Sequence, residues 1–376
     1  MYIQEIMTFK SGSFKFSRKY SLRETQPLEI ESRILNDTIK DLPILPSLSA
    51  KLNQELIRRS IFGTAAIEGN PLSEEKVAEL IQDTDYALTK NNPEIEIKNL
   101  TRAYEILKDF RVSDKPFEIS EDEIKIIHKI ITDGIINQEN NPGHYRNHKV
   151  QVSDKNHGGV YTPPKCLDDI KTLMTAFVSW MNSPDVIDLY PPIRAALAHY
   201  HLGLIHPFGD GNGRTARLLE ATIMQKAGFK YAPVMLSNFY YQNIDDYFWA
   251  FSHAIKDQNH FVTSFVSFVL KSLISSLKDL KVRIIDFIRL FSIKDYFNYL
   301  KSKKIITQRQ FDFLNILIET FDIISVQDLY ELPNFKVLYR NVSERTARRD
   351  LKKLEDMKIL TANKKKEFIL NLKMLE

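Results

Sequence analysis

A glycine-rich segment at residues 205–217, IHPFGDGNGRTAR, concentrates side chains that can handle phosphate groups. Because glycine has no Cβ, alternating glycines let the backbone approach oxygen atoms closely. The pattern predicts a helix that begins near Asn212, and the free N–H groups and positive dipole end of such a helix favour an anion. Arg214 and Arg217 lie on one face of that helix and suit two separate phosphate groups. The three glycines are Gly209, Gly211 and Gly213.

The same segment carries groups for a transfer reaction. Asp210 supplies the hard oxygen ligand that Mg²⁺ on a polyphosphate requires, and Asn212 can donate its amide to a phosphate oxygen. At the mouth of the loop, a neutral His206 can take a proton from an attacking hydroxyl, a contribution of typically ~10²–10⁴-fold. These residues together predict phosphoryl or nucleotidyl transfer to an alcohol.

Other phosphate and metal motifs fit the segment less well. It lacks the lysine and the G-x-x-x-x-G-K-[ST] spacing of a Walker P-loop, and a predicted helix precedes it where a dinucleotide fingerprint needs a strand. A zinc site formed by His199, His201 and His206 is an alternative. His199 and His201 are two residues apart on a helix and point apart, which disfavours a shared metal. We expect His199 to pack against the loop.

Helical periodicity dominates the chain and predicts a mainly α fold. Serines followed by acidic residues, at Ser73 and Ser120, mark helix starts. Another helix runs from about Ser49 and ends at Gly69 and Pro71. The sequence therefore predicts a helical scaffold around the loop.

The segment PGHYRNHKVQV…YTPP interrupts the helical pattern. Val150 and Val152 alternate with polar residues, the chain turns through residues 154–159, and alternation resumes at 160–162. This pattern predicts a short surface β-hairpin, the only clear strand pair before the C-terminal region.

Composition favours a cytoplasmic location. The chain has one cysteine, Cys166, so it cannot form an internal disulfide. Its first residues lack the apolar core of a signal peptide, and we find no run of about 18 apolar residues that would predict a membrane span. The net charge is +4 in 376 residues, and residues 301–376 hold the whole basic excess. This asymmetry predicts a separate C-terminal module with a different partner.

The segment HPFGDGNGRTAR resembles the Fic-domain signature, H-x-F-x-[DE]-G-N-G-R-x-x-R, at every specified position. The resemblance includes the predicted hairpin and extends over roughly residues 20–275. It implies an all-helical core, Mg²⁺-ATP as donor, and transfer of AMP to a Ser, Thr or Tyr hydroxyl of a protein. Doc-type members, which phosphorylate, have a lysine-containing loop, whereas Gly213 and Arg214 are intact here. Phosphocholine transfer uses the same signature with another donor and stays open.

The resemblance also implies a role for each residue of the loop. His206 is the general base, Phe208 anchors the loop in the core, and Asp210 holds Mg²⁺. The α- and β-phosphates bind at Gly211, Asn212 and Gly213, and the β- and γ-phosphates at Arg214 and Arg217.

Two further segments resemble parts of the family's site. The hairpin around Val150, Gln151 and Val152 is similar to the flap that aligns the target by strand addition. Tyr247 and Phe248 are similar to an aromatic pair near the adenine.

The segment TAAIEGN, residues 64–70, resembles the Fic inhibitory motif [ST]-x-x-x-E-[GN], which spans Thr64, Glu68 and Gly69. An acid at a helix C-terminus opposes the helix dipole by ~0.3–1 kcal/mol, so Glu68 should either have a cationic partner or cost stability. The resemblance supplies Arg217. A carboxylate on that arginine occupies the fork meant for the γ-phosphate, so ATP binds in a pose unfit for transfer.

The C-terminal segment VSERTARRDLKKLEDMKILTANKKKEFIL resembles the recognition helix and wing of a winged helix-turn-helix. Ser343 caps the helix, the Lys364–Lys366 turn is the wing, and three apolar residues face the core: Leu351, Leu354 and Ile359. Four basic residues could reach DNA: Arg345, Arg348, Arg349 and Lys352. Winged helices also dock proteins or dimerise, and this alternative stays open.

The sequence thus predicts a mainly α protein in four parts. These are an N-terminal helical region, 1–115, with an inhibitory helix at about 49–69; a Fic core, 116–275; a helical connector, 276–303; and a winged helix, 304–376. The predicted function is a nucleotidyltransferase that adenylylates a target protein and itself. Alternatives are removal of AMP from proteins, or a nucleotide-sensing transcriptional regulator with DNA as partner. Family members often dimerise, so a homodimer is expected.

Overall fold

The chain forms two compact units, Met1–Lys281 and Val282–Glu376. The structure, a computed structural model, describes residues 2–82, 91–108, 116–152, 156–320 and 322–374. Helices predominate in both units, as the helical periodicity predicts. In the first unit they are α1 (Leu22–Lys40), α2 (Pro46–Ile67), α3 (Glu74–Gln82), α4 (Asn92–Lys108), α5 (Glu121–Thr132), α6 (Leu167–Met181), α7 (Pro184–Ile187), α8 (Pro191–Ile205), α9 (Asn212–Lys226), α10 (Ala232–Gln242) and α11 (Ile244–Lys256).

Two central helices carry the glycine-rich loop between them. Nearly every side chain of α8 is buried, as expected for PPIRAALAHYHLGLI, which is apolar all round. Helix α9 is almost as deeply buried. Helix α8 packs on α9 and α6, while α9 also contacts α5 and α10. Because both helices are held on several sides, the loop that joins them has fixed ends.

The ends of the helices follow the predicted signals. Ser120 and Glu123 form a complete capping box at the start of α5. Helix α2 begins at Pro46, three residues before the predicted start, because proline is well tolerated in a first helical turn. Its C-cap residue is Glu68, and the Gly69 and Asn70 N–H groups bond back to the Ala66 and Ala65 carbonyls. Glu68 therefore projects from a well-defined helix end.

A β-hairpin at the N-terminus corrects the sequence analysis, which expected no other strand pair before the C-terminal region. Strands β1 (Ile3–Met7) and β2 (Ser13–Ser17) pair antiparallel in the register Ile3↔Ser17 to Met7↔Ser13. The buried Asp169 carboxylate on α6 accepts bonds from the Phe9 and Lys10 N–H groups at the hairpin tip. A partner 160 residues away, invisible to local pattern, stabilises these short strands.

The hairpin predicted at residues 150–162 is smaller than expected. Val152 and Tyr161 form a single antiparallel bridge, and the described residues around it are not strands. Two positions of the predicted turn, 154 and 155, lie outside the described residues. Arg146 donates to carbonyls on both arms of the segment, at His148 and Pro164, and the next hydrogen-bonded pair of a longer ladder would need an N–H from Pro163, which has none. We call residues 146–164 the flap.

The second unit has its own apolar core. Helix α12 (Thr263–Ser302) includes nearly all of the predicted connector, residues 276–303. The other elements are α13 (Gln308–Thr320), α14 (Asp328–Glu331), α15 (Pro333–Tyr339), α16 (Glu344–Asp356), β3 (Leu360–Ala362) and β4 (Phe368–Leu370). Strands β3 and β4 pair antiparallel, and Ile324 bridges to Phe368. Leu351, Leu354 and Ile359 are fully buried, as predicted.

Two buried histidines predict acid sensitivity of the first unit. Burial lowers the pKa of both His128 and His201 to about 4. Below pH 6.5 the unfolded chain protonates these residues while the folded chain does not, so stability is lost as the pH falls towards 4. The loss is at most about 1.4 kcal/mol per pH unit for each histidine. Calorimetric unfolding at pH 7 and pH 5 should show it.

A variant pair checks this account. His201→Gln should make the unfolding temperature depend less on pH, whereas His253→Gln, at an exposed position on α11, should leave the dependence unchanged. An equal dependence in all three proteins would contradict it.

In the part of the chain that the structure describes, no helix is both long and apolar enough to cross a membrane.

Candidate active site

A cavity of about 370 Å³ opens beside the glycine-rich loop. Its wall joins the end of α2, the flap, the end of α8, the start of α9 and one face of α11. Among its lining residues are several that the sequence analysis singled out: Glu68, Val152, His206, Gly213, Arg217, Tyr247 and Phe248. Segments nearly 200 residues apart in sequence thus meet in one place.

His206 ends α8 in the left-handed conformation, with φ 48° and ψ 59°. The buried Arg146 holds this geometry, because its backbone N–H donates to the Pro207 carbonyl and its Nε donates to the His206 carbonyl at 2.7 Å. The same guanidinium bonds the flap carbonyls described above. Arg146, which the sequence analysis did not single out, therefore fixes the loop and the flap together.

The His206 imidazole is neutral at physiological pH. Burial and then the nearby Arg146 charge lower its pKa to about 4, against smaller opposing effects of Glu68 and Asp210. In a neutral imidazole one ring nitrogen carries the hydrogen, and the other keeps a lone pair that can accept a proton.

Contacts on the inner side of the glycine-rich loop fix its conformation. Phe208 is fully buried, where the resemblance places it, and stacks on the His128 ring at 3.7 Å. The Gly143 N–H donates to His128 Nδ1 at 2.9 Å, so Nε2 carries the hydrogen and donates to the Asp210 carbonyl at 2.9 Å. Gly211, at φ 74°, precedes α9. His128 thus links α5 to the loop backbone.

The position of Asn212 differs from the expected phosphate contact. Its side-chain amide both accepts from the Phe208 N–H at 2.9 Å and donates to the Phe208 carbonyl at 2.8 Å. Asn212 is only 3% exposed. Its amide therefore closes the loop, and what it offers to a ligand is its backbone N–H.

The first turn of α9 presents an anion-binding surface. The first intrahelical bond runs from Thr215 N to the Gly211 carbonyl, which leaves the N–H groups of residues 212–214 at the helix N-terminus. A Cβ at Gly213 would collide with Glu68 Oε1, so the glycine leaves room for that carboxylate in its present position. The glycine thus lets a carboxylate, or a phosphate in its place, approach the helix end.

Glu68 lies on Arg217, the cationic partner that the resemblance implies. Arg217 Nη2 donates to Glu68 Oε1 at 2.6 Å, and Arg217 Nε donates to Thr64 Oγ1 at 2.8 Å. Burial alone would raise the pKa of Glu68, but the charges of Arg217 and Arg214 outweigh burial and hold it below its ordinary value. Glu68 is therefore a carboxylate, and it occupies one edge of the Arg217 fork.

Arg214 has two carboxylate partners, one of which the sequence analysis did not identify. Its Nη1 donates to Glu96 Oε1 at 2.8 Å and its Nη2 to Asp210 Oδ1 at 2.7 Å. Glu96, on α4, also accepts from the Asn70 side chain at 2.9 Å. Arg214 is not among the residues that line the cavity. In this state Arg214 therefore connects the loop, through Asp210, to Glu96, and Glu96 in turn binds Asn70 in the segment that follows Glu68.

Asp210 is the candidate magnesium ligand, and its geometry fits that role. Oδ1 accepts from Arg214 and from the Gly211 N–H, while Oδ2 has only a long contact, 3.4 Å, to the Asn137 amide. The side chain is 29% exposed. The described residues contain no cluster of three or more metal-binding side chains. One free carboxylate oxygen suits Mg²⁺ that arrives on phosphates, because such ions need few protein ligands.

The remaining predicted residues line the far side of the cavity. Tyr247 is 4% exposed and its hydroxyl contacts His199 Nε2 at 3.0 Å. Phe248 forms part of an apolar wall with Leu204, Phe251 and Ile255. A flat apolar ligand such as a nucleobase suits this wall.

The flap closes the cavity from outside. Val152 exchanges both backbone hydrogen bonds with Tyr161, at 2.9 Å each. If the segment before the bridge were extended, the backbone groups of Gln151 would point to the edge opposite Tyr161. His157 Nε2, at the flap tip, lies 2.8 Å from Asp245 Oδ1 on α11.

The three histidines considered as zinc ligands make separate contacts. His199 contacts Tyr247 and Glu220, while His201 Nε2 lies 2.9 Å from the Ser17 carbonyl. His206 lines the cavity together with Gly213 and Arg217. Their rings are engaged with three different parts of the unit.

Comparison with known proteins identifies the domain. Residues 118–224 match the model of the Fic/DOC family, and this range includes the complete loop, so the prediction of a Fic domain is confirmed.

Curated relatives resemble about half of the chain. The protein adenylyltransferase Fic of Aedes aegypti is 31% identical over 198 residues, 52% of this chain and 37% of the relative. The protein of the same name from Nematostella vectensis is 34% identical over 196 residues, 52% of this chain and 42% of the relative. Each match thus spans about two fifths of the relative's length.

A solved structure shares the fold. A Fic family protein from Desulfovibrio desulfuricans G20 superposes with a TM-score of 0.54 at 19% sequence identity, covering 92% of this chain and 96% of that chain. This similarity supports the mainly helical fold.

Proposed function

We propose that this chain, through its Fic domain, is a protein adenylyltransferase that transfers AMP from ATP to a protein hydroxyl. One observation carries the proposal: a neutral His206 with a free ring nitrogen lines the same cavity as the N-terminus of α9 and Arg217. The first is a base and the others bind phosphate, which are the two requirements of nucleotidyl transfer. The printed names of the curated relatives agree with this activity.

In the proposed reaction, His206 accepts the proton of a target Ser, Thr or Tyr hydroxyl. The hydroxyl oxygen forms a bond to the α-phosphorus of ATP, the bond from that phosphorus to the bridging oxygen breaks, and pyrophosphate leaves. The backbone N–H groups of residues 212–214 and the Arg217 guanidinium stabilise the charge that develops on the phosphates. Because phosphates bring negative charge close to His206, ATP binding raises the pKa of the imidazole and makes it a stronger base.

Asp210 would hold Mg²⁺ through its free Oδ2. When bound, the ion neutralises charge on the leaving pyrophosphate. Arg214 supports this role, because its bond to Oδ1 orients the carboxylate.

Glu68 is proposed as an intrinsic brake. Its carboxylate occupies Arg217 where the γ-phosphate would bind, and it lies against Gly213 at the helix N-terminus. ATP must displace Glu68 to reach a reactive pose. The same carboxylate could position water for removal of AMP, so deAMPylation by this site stays an alternative.

For target recognition we propose strand addition along the flap. Gln151 presents its backbone N–H and carbonyl on the free edge, between Val150 and Val152. An extended target segment that pairs there would bring a hydroxyl towards His206.

Intact-mass measurement tests the proposed function. Incubation of the chain with Mg²⁺-ATP should add the mass of one AMP, since the chain is expected to modify itself. Addition of a phosphoryl mass would indicate a kinase. Unchanged mass with ATP still bound would favour the nucleotide-sensing regulator or another donor.

We propose separately that residues 304–376 form a winged-helix domain. Helix α16, capped by Ser343, precedes the β3–β4 hairpin, as in the predicted recognition helix and wing. Two of its four candidate DNA-binding residues have acidic partners: Arg348 pairs with Glu344, and Lys352 with Glu355. Such pairing weakens a phosphate-binding surface. A protein-docking role is therefore favoured over DNA, with Arg345 and Arg349 as the remaining exposed basic side chains.

The salt dependence of DNA binding decides between these roles. Proteins with many phosphate contacts lose ~10³–10⁵-fold in affinity for duplex DNA between 50 and 200 mM salt. A similarly steep loss of affinity here would restore the DNA-binding role. Absent or salt-independent binding supports protein docking. A cytoplasmic location and a homodimer are also part of the proposal, and light scattering checks the latter.

A further inference from the structure

A buried line of polar side chains runs behind Arg217, on the side away from Glu68. Arg217 Nη1 donates to the Tyr247 hydroxyl at 3.5 Å, and that hydroxyl lies 3.0 Å from His199 Nε2. His199 Nδ1 lies 3.1 Å from Glu220 Oε2, at an angle that falls short of a linear hydrogen bond. All four side chains are at most 4% exposed.

The direction of the hydrogen bonds in this line is determined by chemistry. Arg217 can only donate, so the Tyr247 oxygen accepts from it. The single hydrogen of that hydroxyl is then free to point at His199 Nε2. A ring nitrogen that accepts leaves the hydrogen on Nδ1, which faces the Glu220 carboxylate. Arg217 thus donates to Tyr247 and Tyr247 to His199, and the line ends where His199 Nδ1 lies 3.1 Å from the negative Glu220 carboxylate without a hydrogen bond between them.

The charge balance explains why such a line is needed. Arg217 is almost fully buried, and a buried charge without a partner is costly. In this state Glu68 is its counter-charge, but the Glu68 side chain is 29% exposed and projects from the end of another helix. When Glu68 is displaced, Glu220 remains, because it lies inside α9 and also accepts from the Tyr240 hydroxyl at 3.0 Å.

We propose that Tyr247, His199 and Glu220 form a resident positioning chain that keeps Arg217 aimed at the γ-phosphate after Glu68 leaves. None of the three needs to touch the reacting atoms for this role. The positioning chain of Tyr247, His199 and Glu220 sets selectivity for a nucleoside triphosphate over a diphosphate, because only the triphosphate carries the group that Arg217 would bind. The inference rests on the proposed function for the assignment of Arg217 to the γ-phosphate.

Calorimetric binding of Mg²⁺-ATP and Mg²⁺-ADP to the Glu68→Gly chain tests this proposal without relying on transfer. Tyr247→Phe in that background keeps the ring and removes the hydroxyl. It should lower the ratio of ATP to ADP affinity by about tenfold, as for loss of a hydrogen bond to a charged group. Glu220→Gln, which keeps the side-chain volume, should lower the ratio in the same direction.

Tyr190→Phe is the matched control. It removes another mostly buried hydroxyl, bonded to Ser32 Oγ at 2.9 Å, from a tyrosine outside the site. It should leave the ratio unchanged. The positioning-chain proposal would be overturned if Tyr247→Phe lowered the affinities for ATP and ADP equally. It would also be overturned if the Glu68→Gly protein bound ATP no more tightly than ADP. A normal ATP preference without AMP transfer would instead refute the proposed function and leave the positioning chain standing.

Discussion

Replacing Glu68 with glycine should increase self-labelling of the chain from Mg²⁺-ATP by at least about tenfold, which corresponds to about 1.4 kcal/mol. The reason is that Glu68 Oε1 lies 2.6 Å from Arg217 Nη2 and occupies the proposed γ-phosphate position. Without the carboxylate, ATP no longer competes with an internal anion. The change also removes an acid that opposes the dipole at the end of α2. Quantification of label on the chain at fixed ATP measures the effect.

Glutamine variants separate the charge from other effects of glycine. Glu68→Gln keeps the side-chain length and should also increase labelling, because a neutral amide binds Arg217 less strongly. Glu55→Gln is the matched control on the same helix, where Glu55 pairs with Arg59. Unchanged labelling in both Glu68 variants would refute the brake. Because the pKa of Glu68 is held below its ordinary value, mildly acidic buffer should not mimic these variants.

Loss of the His206 imidazole should reduce transfer by ~10²–10⁴-fold, the usual contribution of a general base. ATP affinity should change little, since the proposed phosphate contacts come from the first turn of α9 and from Arg217. Alanine at this position is strained by the left-handed φ of 48°, at a cost of roughly 1–2 kcal/mol. His206→Asn tolerates that conformation and separates loss of the base from backbone strain. Single-turnover labelling and calorimetric ATP binding provide the two readouts.

The exposed His253 offers the control. His253→Ala should label as the unchanged chain does. Near-normal transfer in His206→Asn would mean that another group, or the nucleotide itself, accepts the proton. Parallel loss of ATP binding and transfer would mean that His206 holds the loop and has no chemical role of its own.

Local sequence patterns predicted the parts of this molecule that depend on local physics. The cap at Ser120 and the helix end at Glu68 follow from neighbouring residues, as does the start of α9 at Asn212. The glycine-rich loop lies between two helices, as its sequence pattern predicted. The burial of Leu351 and Leu354 agrees with what the resemblance to a winged helix implies. In each case the interactions that decide the structure lie within a few residues of each other.

The features that the sequence did not reveal depend on distant partners. The hairpin β1–β2 is held by Asp169, more than 150 residues away. Arg146 and Glu96 are single charged residues in segments that match no motif, and only the fold brings them to the loop. Asn212 was assigned to phosphate because its amide can donate, but the folded loop uses both amide atoms. A sequence pattern shows what a side chain can bond, and the fold decides what it does bond.

The most direct test compares ATP labelled at the α-phosphate with ATP labelled at the γ-phosphate. Each is incubated with Mg²⁺ and with the unchanged chain, Glu68→Gly or His206→Asn. The account predicts label from the α-phosphate alone, strongest in Glu68→Gly and near background in His206→Asn. Label from the γ-phosphate, or α-label that does not depend on His206, would contradict adenylyl transfer by this site.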